Sequence, residues 1–259
     1  MLFDTHCHIN FPDYGGELPE MIGRAEAAGV SRMLCIGMLP EGGREALALA
    51  RRFPGKVYAS VGCHPYDAMH YTDAIHAEFR ELLGQPEMIL VGEMGIDTVK
   101  SPSPMLAQEA AFERQLELAG ELDLPVCIHS RDAFPICERI IRKVHPRGFK
   151  GFAHCFSDGP DEALGWRELG FKVSFAGQIT FKNKSADPIR NAALALTPED
   201  VVVETDSPFL SPQPQRGRRN EPAFVQHTAA KLAELWGLSL EEVSRRTTAT
   251  ACKVLGLSA

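Results

Sequence analysis

Histidines and carboxylates recur in this chain where a strand would end, and side chains of those types suit divalent cations. The first are His6 and His8, in Leu2-Phe3-Asp4-Thr5-His6-Cys7-His8. Strand side chains alternate faces, so residues two apart point the same way, and imidazole is the commonest metal-binding side chain. An isolated H-x-H is often incidental, but others follow here. Glu93 and Asp97 lie in Val91-Gly92-Glu93-Met94-Gly95-Ile96-Asp97, His129 closes Val126-Cys127-Ile128, His154 closes Gly151-Phe152-Ala153, and Asp206 follows Val203-Glu204-Thr205. A single histidine is most often a hydrogen-bonded core residue. Two at equivalent strand ends favour ligands. Glu93 sits too near its strand to cap the next helix, and two glycines flank it as if backbone passed close to something. It reads as a bridging carboxylate, and Asp97 as a support for a ligand or a structural residue.

Four histidines with two carboxylates make a mixed nitrogen and oxygen donor set, which suits Zn, Mn, Fe or Ni and is less typical of Ca. One ion needs about three or four protein ligands. Six candidates, one able to bridge, suffice for two ions about 3.5–4 Å apart. Such a pair activates a shared water and stabilises charge on the oxygen under attack, so the reaction class is metal-assisted hydrolysis. Asp206 is suited to take the water's proton as well as to bind metal. His64, in Gly62-Cys63-His64-Pro65, could be a ligand, a phosphate contact or a proton shuttle, and one of the last two is preferred. Asp4 is placed to orient a ligand imidazole. Glu204 lies deeper than Asp206 on the same face, so a salt bridge within the fold is expected of it. His70, His76, His145 and His227 fall in helices or loops and carry no expected catalytic role.

The elements that must position these residues alternate from end to end. Strand-like runs fall at residues 2–6, 31–37, 57–63, 89–92, 126–129, 151–154, 172–175 and 201–205. Amphipathic stretches lie between them, at 18–28, 46–53, 75–83, 106–122, 133–144 and 160–169, with apolar residues at helical spacing. Breakers such as Gly29, Pro54-Gly55, Pro86, Pro125, Gly148, Gly170 and Pro198 mark the joints. Eight strands alternating with helices imply a parallel sheet with helical crossovers. In an open sheet the strand ends spread along a line, and one crevice could gather only some of these residues. A closed (β/α)8 TIM barrel brings every end to one rim, where such enzymes place their active sites. Residues 1–259 are therefore expected to form one domain. The polar segment 211–221 reads as a long loop after the eighth strand, followed by terminal helices at 222–236 and 240–255.

Composition fits this frame: 44% hydrophobic and 24% charged residues in 259 is ordinary for a chain with a sizeable core. A net charge of −7 argues against a passive nucleic-acid coat, although metals and a local basic rim can still hold an anionic substrate. No apolar run approaches the roughly 20 residues of a membrane span, and the polar, histidine-bearing start is unlike a signal peptide. The seven cysteines form no C-x-x-C pair and sit mostly in apolar runs, so they read as reduced and buried. Cys7, Cys63 and Cys155 each adjoin a histidine, but strand alternation aims them away from it. A cytoplasmic enzyme is the expectation.

These motifs, taken in order, resemble the TatD-type metal-dependent deoxyribonucleases, a branch of the amidohydrolase-like barrels. The resemblance runs through Phe3-Asp4-Thr5-His6-Cys7-His8, Gly62-Cys63-His64-Pro65, Gly92-Glu93-Met94-Gly95-Ile96-Asp97 and Ile128-His129-Ser130-Arg131-Asp132-Ala133. It continues through His154-Cys155-Phe156-Ser157, Thr180-Phe181-Lys182, Glu204-Thr205-Asp206-Ser207-Pro208-Phe209-Leu210 and Arg216-Gly217-Arg218-Arg219-Asn220-Glu221-Pro222. It implies that His6, His8, Glu93, His129, His154 and Asp206 hold two divalent ions, drawn from Mg, Mn, Zn, Co, Ni or Fe, with Glu93 shared. The implied activity is hydrolysis of DNA from single-stranded 3′ ends. Arg131 and the loop bearing Arg216, Arg218 and Arg219 then become phosphate contacts, since a guanidinium fork grips phosphate oxygens in pairs. A solvated loop accounts for the last three equally well. The chain departs from the family where aromatics often follow the aspartate at 97 and Thr98-Val99-Lys100 stand instead, and near the C-terminus at Thr250 and Val254-Leu255. A lactonase, amidase or phosphotriesterase on the same barrel is the alternative, and a binding protein with a structural metal is a third.

Overall fold

The computed structural model describes residues 1–258. Eight strands, β1 (Leu2–Cys7), β2 (Val30–Met38), β3 (Val57–Gly62), β4 (Met88–Asp97), β5 (Val126–Arg131), β6 (Gly151–Ala153), β7 (Phe171–Phe175) and β8 (Val201–Val203), lie side by side in chain order. Every laddered pair is parallel. Helices α1 (Leu18–Ala27), α2 (Leu39–Arg52), α3 (Asp73–Leu83), α4 (Met105–Leu122), α5 (Phe134–Val144), α6 (Pro160–Glu168) and α7 (Asp187–Ala195) form the crossovers, and α8 (Val225–Trp236) and α9 (Leu240–Leu255) follow β8. This is the expected (β/α)8 TIM barrel. None of the described helices is long and apolar enough to cross a membrane.

The helices start where the sequence forbids further strand. Proline stands in the first turn of α1, α2, α5, α6 and α7, where its fixed φ suits the helix and its missing N–H is not needed. Each then buries one apolar stripe, as α5 does with Cys137, Ile140 and Ile141. The α7 segment was absent from the helical stretches read by periodicity. Its buried stripe is only Ile189, Ala192 and Ala193, and alanine carries little hydrophobic signal. α2 begins seven residues before the expected stretch at 46–53, because Gly42 and Gly43 belong to its first turns. Packing at the strand starts is completed by α9, whose Ala251, Cys252 and Leu255 join Phe3, Leu34, Leu90, Phe152 and Val202 in one apolar cluster. The opposite rim is left free for chemistry.

Two irregularities shape that rim. β4 runs on to Asp97 instead of ending near Gly92, and its register against β5 slips between Val91 and Met94. The glycines that look like terminators instead permit close backbone approach. Gly95 has φ +147, and a Cβ there would overlap the carbonyl oxygen of His129. A Cβ on Gly62 would lie 2.5 Å from the Glu93 carbonyl oxygen. What passes close to Glu93 is the neighbouring strands themselves.

The second irregularity is the closure between β1 and β8. These strands meet through one parallel bridge, Cys7 with Ser207, flanked by His8 N donating to Ser207 O (2.8 Å) and Asp206 N to His6 O (2.9 Å). Below it side chains take over. Thr205 N and Oγ1 donate to the Asp4 carboxyl at 2.8 and 2.6 Å, and Thr5 Oγ1 donates to Val203 O at 3.1 Å. Asp4 thus seals the barrel and does not orient an imidazole, a correction to the expectation above. Strand parity failed because the β1 register shifts between Asp4 and Cys7. Burial of Asp4 outweighs its hydrogen bonds and raises its pKa to about 8.

Candidate metal centre

His6 lies near the end of β1 and His8 just beyond it, His64 follows β3, Glu93 lies in the irregular stretch of β4, His129 is on β5, and His154 and Asp206 follow β6 and β8. Barrel closure draws all seven to one centre. His6 Nε2 stands 3.3 Å from His8 Nε2, 3.4 Å from Glu93 Oε2 and 3.7 Å from Asp206 Oδ1. His8 Nε2 is 3.5 Å from the same Asp206 oxygen. The other oxygen of Glu93, Oε1, faces His129 Nδ1 at 2.9 Å and both His64 Nε2 and His154 Nε2 at 3.5 Å. His154 also reaches Asp206 Oδ1 at 3.9 Å and stacks on His6 with ring centroids 3.5 Å apart. Glu93 therefore divides the cluster: Oε2 serves His6, and Oε1 serves His129, His154 and His64.

Metal ligands need their rear atoms fixed; three of the candidate imidazoles are held there by polar contacts and His154 by an ion-pair contact with Glu204. Behind the cluster, His6 Nδ1 meets Cys127 Sγ (3.4 Å), His8 Nδ1 meets Ile36 O (3.3 Å), His129 Nε2 meets Asp97 Oδ2 (3.3 Å) and His154 Nδ1 meets Glu204 Oε1 (2.8 Å). Most front atoms stand 3.3–3.7 Å apart, beyond the roughly 2.7–3.2 Å of a good hydrogen bond. Donors about 2.1 Å from a common ion sit roughly 3–3.5 Å from one another. The residues fit a divalent cation. His64 differs. Its Nδ1 accepts the Tyr66 N–H at 3.1 Å, so a neutral ring carries its hydrogen on Nε2, the atom facing the cluster.

Charges at the metal-free centre follow burial and the neighbouring carboxylates. Burial opposes ionisation of Glu93 and Asp206, yet the surrounding imidazoles outweigh it and hold both carboxylates below their ordinary range. Burial lowers His6, and lowers His64 to about 4, so His64 is neutral near pH 7. Burial also opposes charge on His154, but Glu204 and Glu93 overcome it and raise that imidazole to about 10. His129 is raised likewise, burial being outweighed by Asp97 and Glu93.

A cleft of about 510 Å³ opens over the centre, lined by His8, His64, Glu93, His129, His154 and Asp206 together with Arg131, Lys100, Tyr66, Phe11 and Phe209. Arg131 reaches Asp97 at 3.5 Å. Arg216, Arg218 and Arg219 are not among the lining residues. The Arg216 guanidinium lies 4.3 Å from the Phe181 ring centroid, Arg218 approaches Gln215 at 3.5 Å, and Arg219 covers Tyr14 and pairs with Glu17 at 3.1 Å. Cys7 Sγ turns to Leu34 O, as strand alternation predicts, whereas Cys155 Sγ contacts Gln178 yet stays within 4.8 Å of ligand atoms of His154 and Glu204, against the expectation. Glu204 makes its expected ion pair inside the barrel, with His154 as partner, and also accepts from Cys155 N and Ser174 Oγ. The grip of Cys127 on His6 and the placement of Tyr66, Phe11 and Phe209 had no local sequence signal.

A parallel barrel that gathers histidines and carboxylates at the C-terminal ends of its strands defines the class: a metal-dependent hydrolase. The family described as "TatD related DNase" matches residues 3–256, and the chain belongs to the TatD family. It is 34% identical over its full length to the full-length "Uncharacterized metal-dependent hydrolase YabD" of Bacillus subtilis (strain 168). Similarity extends to the "3'-5' ssDNA/RNA exonuclease TatD" of Edwardsiella piscicida, 32% identical with 90% of each chain covered. Among solved structures, the TatD homologue YJJV of Escherichia coli K12 superposes with a TM-score of 0.92 and 27% identity, covering 99% of this chain and 98% of that one.

Proposed function

We propose that the protein is a divalent-metal phosphodiesterase that removes nucleotides from single-stranded 3′ ends of DNA, with two ions held on either side of Glu93. One observation carries the reading: the two oxygens of Glu93 face separate imidazole sets beneath a cleft bearing Lys100 and Arg131. The family match and the exonuclease name of a relative support the substrate class. His6, His8, Asp206 and Glu93 Oε2 would hold one ion, and Glu93 Oε1, His129 and His154 the other. Ions there would supply Lewis acidity, making water a better nucleophile and neutralising charge on the phosphoryl oxygens.

The chain's own groups complete the reaction. Asp206 is held anionic and takes the proton from the attacking water, whose oxygen joins phosphorus as the P–O3′ bond breaks. The proton then passes to the departing 3′ oxygen. His64 is neutral and presents N–H, so it donates a hydrogen bond to a phosphoryl oxygen and does not deliver a proton. Arg131 and Lys100 attract the anionic backbone. Digestion of an end-labelled single-stranded oligonucleotide, with Mg, Mn, Zn or Co supplied in turn, tests the reading. Stepwise shortening that disappears in Glu93→Ala and Asp206→Ala is expected. No shortening with any metal, or equal shortening by the variants, would refute it. The cleft volume also suits a small molecule, and turnover of lactones, amides or phosphotriesters without oligonucleotide cleavage would favour that reading instead.

A further inference from the structure

The cleft carries an aromatic pair and a basic pair on opposite sides of the barrel, with Tyr66 and Asp67 also lining it. Phe11 and Phe209 follow β1 and β8, which meet at the seam, whereas Lys100 follows β4 and Arg131 ends β5, halfway round the strand order. On the seam side Phe11 stacks on His8, with ring centroids 4.7 Å apart and 25° between planes. Phe209 stands edge-on to both rings at 6.2 Å and leaves 52% of its surface exposed. Folding gains little from a large ring left so open beside a polar centre. Behind this wall Tyr14 Oη donates to Asn220 O at 2.6 Å, tying the loop after β1 to the loop after β8. Tyr14 N also donates to Phe11 O (3.2 Å) and Asn220 Nδ2 to Phe209 O, so the same two residues hold the backbones of both aromatics.

We propose that Phe11 and Phe209 form the seat of the strand's terminal base, while Lys100 and Arg131 carry the phosphates of the chain that follows. The inference rests on the phosphodiesterase reading above and adds an orientation to it. Every base has a π face that stacks on an aromatic side chain irrespective of sequence, whereas the remaining strand is a polyanion and seeks the basic wall. The metal-type residues lie between the walls, which puts the scissile phosphate between the terminal base and the rest of the strand. A base seat on one side of the centre and a basic side on the other is an arrangement that suits cleavage at a strand end.

The test compares two single-stranded oligonucleotides that differ only at the 3′-terminal residue, one bearing a base and the other an abasic tetrahydrofuran. The parent protein is expected to favour the base-bearing end by roughly tenfold in kcat/KM. Phe209→Ala should bring the two within about twofold, Phe209→Trp should keep the preference, and neither should shift thermal unfolding. Lys100→Gln should slow both substrates equally and weaken the salt dependence of binding. Equal cleavage of both ends by the parent, or an undiminished preference in Phe209→Ala, would overturn the seat and leave the phosphodiesterase reading intact. A loss in Lys100→Gln confined to the base-bearing end would put the base on the other wall and overturn the orientation. No cleavage of either oligonucleotide would overturn both readings.

Discussion

Replacing Glu204 by Gln should weaken metal binding without unfolding the barrel. Glu204 touches no substrate; its Oε1 lies 2.8 Å from His154 Nδ1 and 2.7 Å from Cys155 N, and its Oε2 lies 2.5 Å from Ser174 Oγ. Glutamine keeps the volume and one accepting oxygen. It removes the charge that helps raise His154 to about 10 and that makes its ring a stronger donor to a cation. Loss of such a support typically weakens a metal site by about 10–100-fold, or about 1.4–2.7 kcal/mol. Glu204→Ala is harsher, since it strips the partner from the buried His154 Nδ1 and the part-buried Cys155 N, at about 1–3 kcal/mol each. Calorimetric titration of metal-free protein with Mn²⁺, paired with urea unfolding, separates affinity from stability. A Glu204→Gln protein that unfolds like the parent and binds Mn²⁺ within twofold of it would refute the role given to Glu204.

Gly95→Ala should destabilise the metal-free protein by about 2 kcal/mol or more in urea unfolding, because the φ of +147 and the His129 carbonyl both exclude a methyl group. Asp4 is raised from 3.8 to about 8 in the fold, so the native state keeps a proton that the unfolded chain has released between those values. Stability should fall as pH rises through that window, and Asp4→Asn, neutral in both states, should lack that slope between pH 6 and 8 in urea melts. Arg131→Ala should raise KM for an oligonucleotide about tenfold or more, whereas Arg219→Ala, bound to Glu17 and Tyr14 away from the cleft, should change it less than about twofold.

The sequence exposes a residue's role where local pattern and strand order suffice. Runs such as Val201-Val202-Val203, punctuated by glycine and proline, mark the strands, and the order of βα units brings their ends together. That is why six metal-type residues spread from His6 to Asp206 could be assigned to one rim. Partner choice across the barrel is another matter. Cys127 lies 121 residues from His6, and Glu17 lies 202 from Arg219; neither contact leaves a periodic trace. Arg216-Gly217-Arg218-Arg219 looks the same in sequence whether it meets phosphate or covers Phe181 and Tyr14. Asp4 failed for a different reason, since one register shift in β1 undoes the alternation from which its direction was read. Phe11 and Phe209 sit in loops, where no periodicity sets direction.

Anomalous scattering from crystals equilibrated with Mn²⁺ tests the central claim most directly, because it locates ions without reference to activity. Two peaks are predicted, roughly 3.5–4 Å apart, one beside His6, His8 and Asp206 and the other beside His129 and His154, with a Glu93 oxygen against each. No peak at the rim, or a single ion with Glu93 turned away from it, would contradict the account.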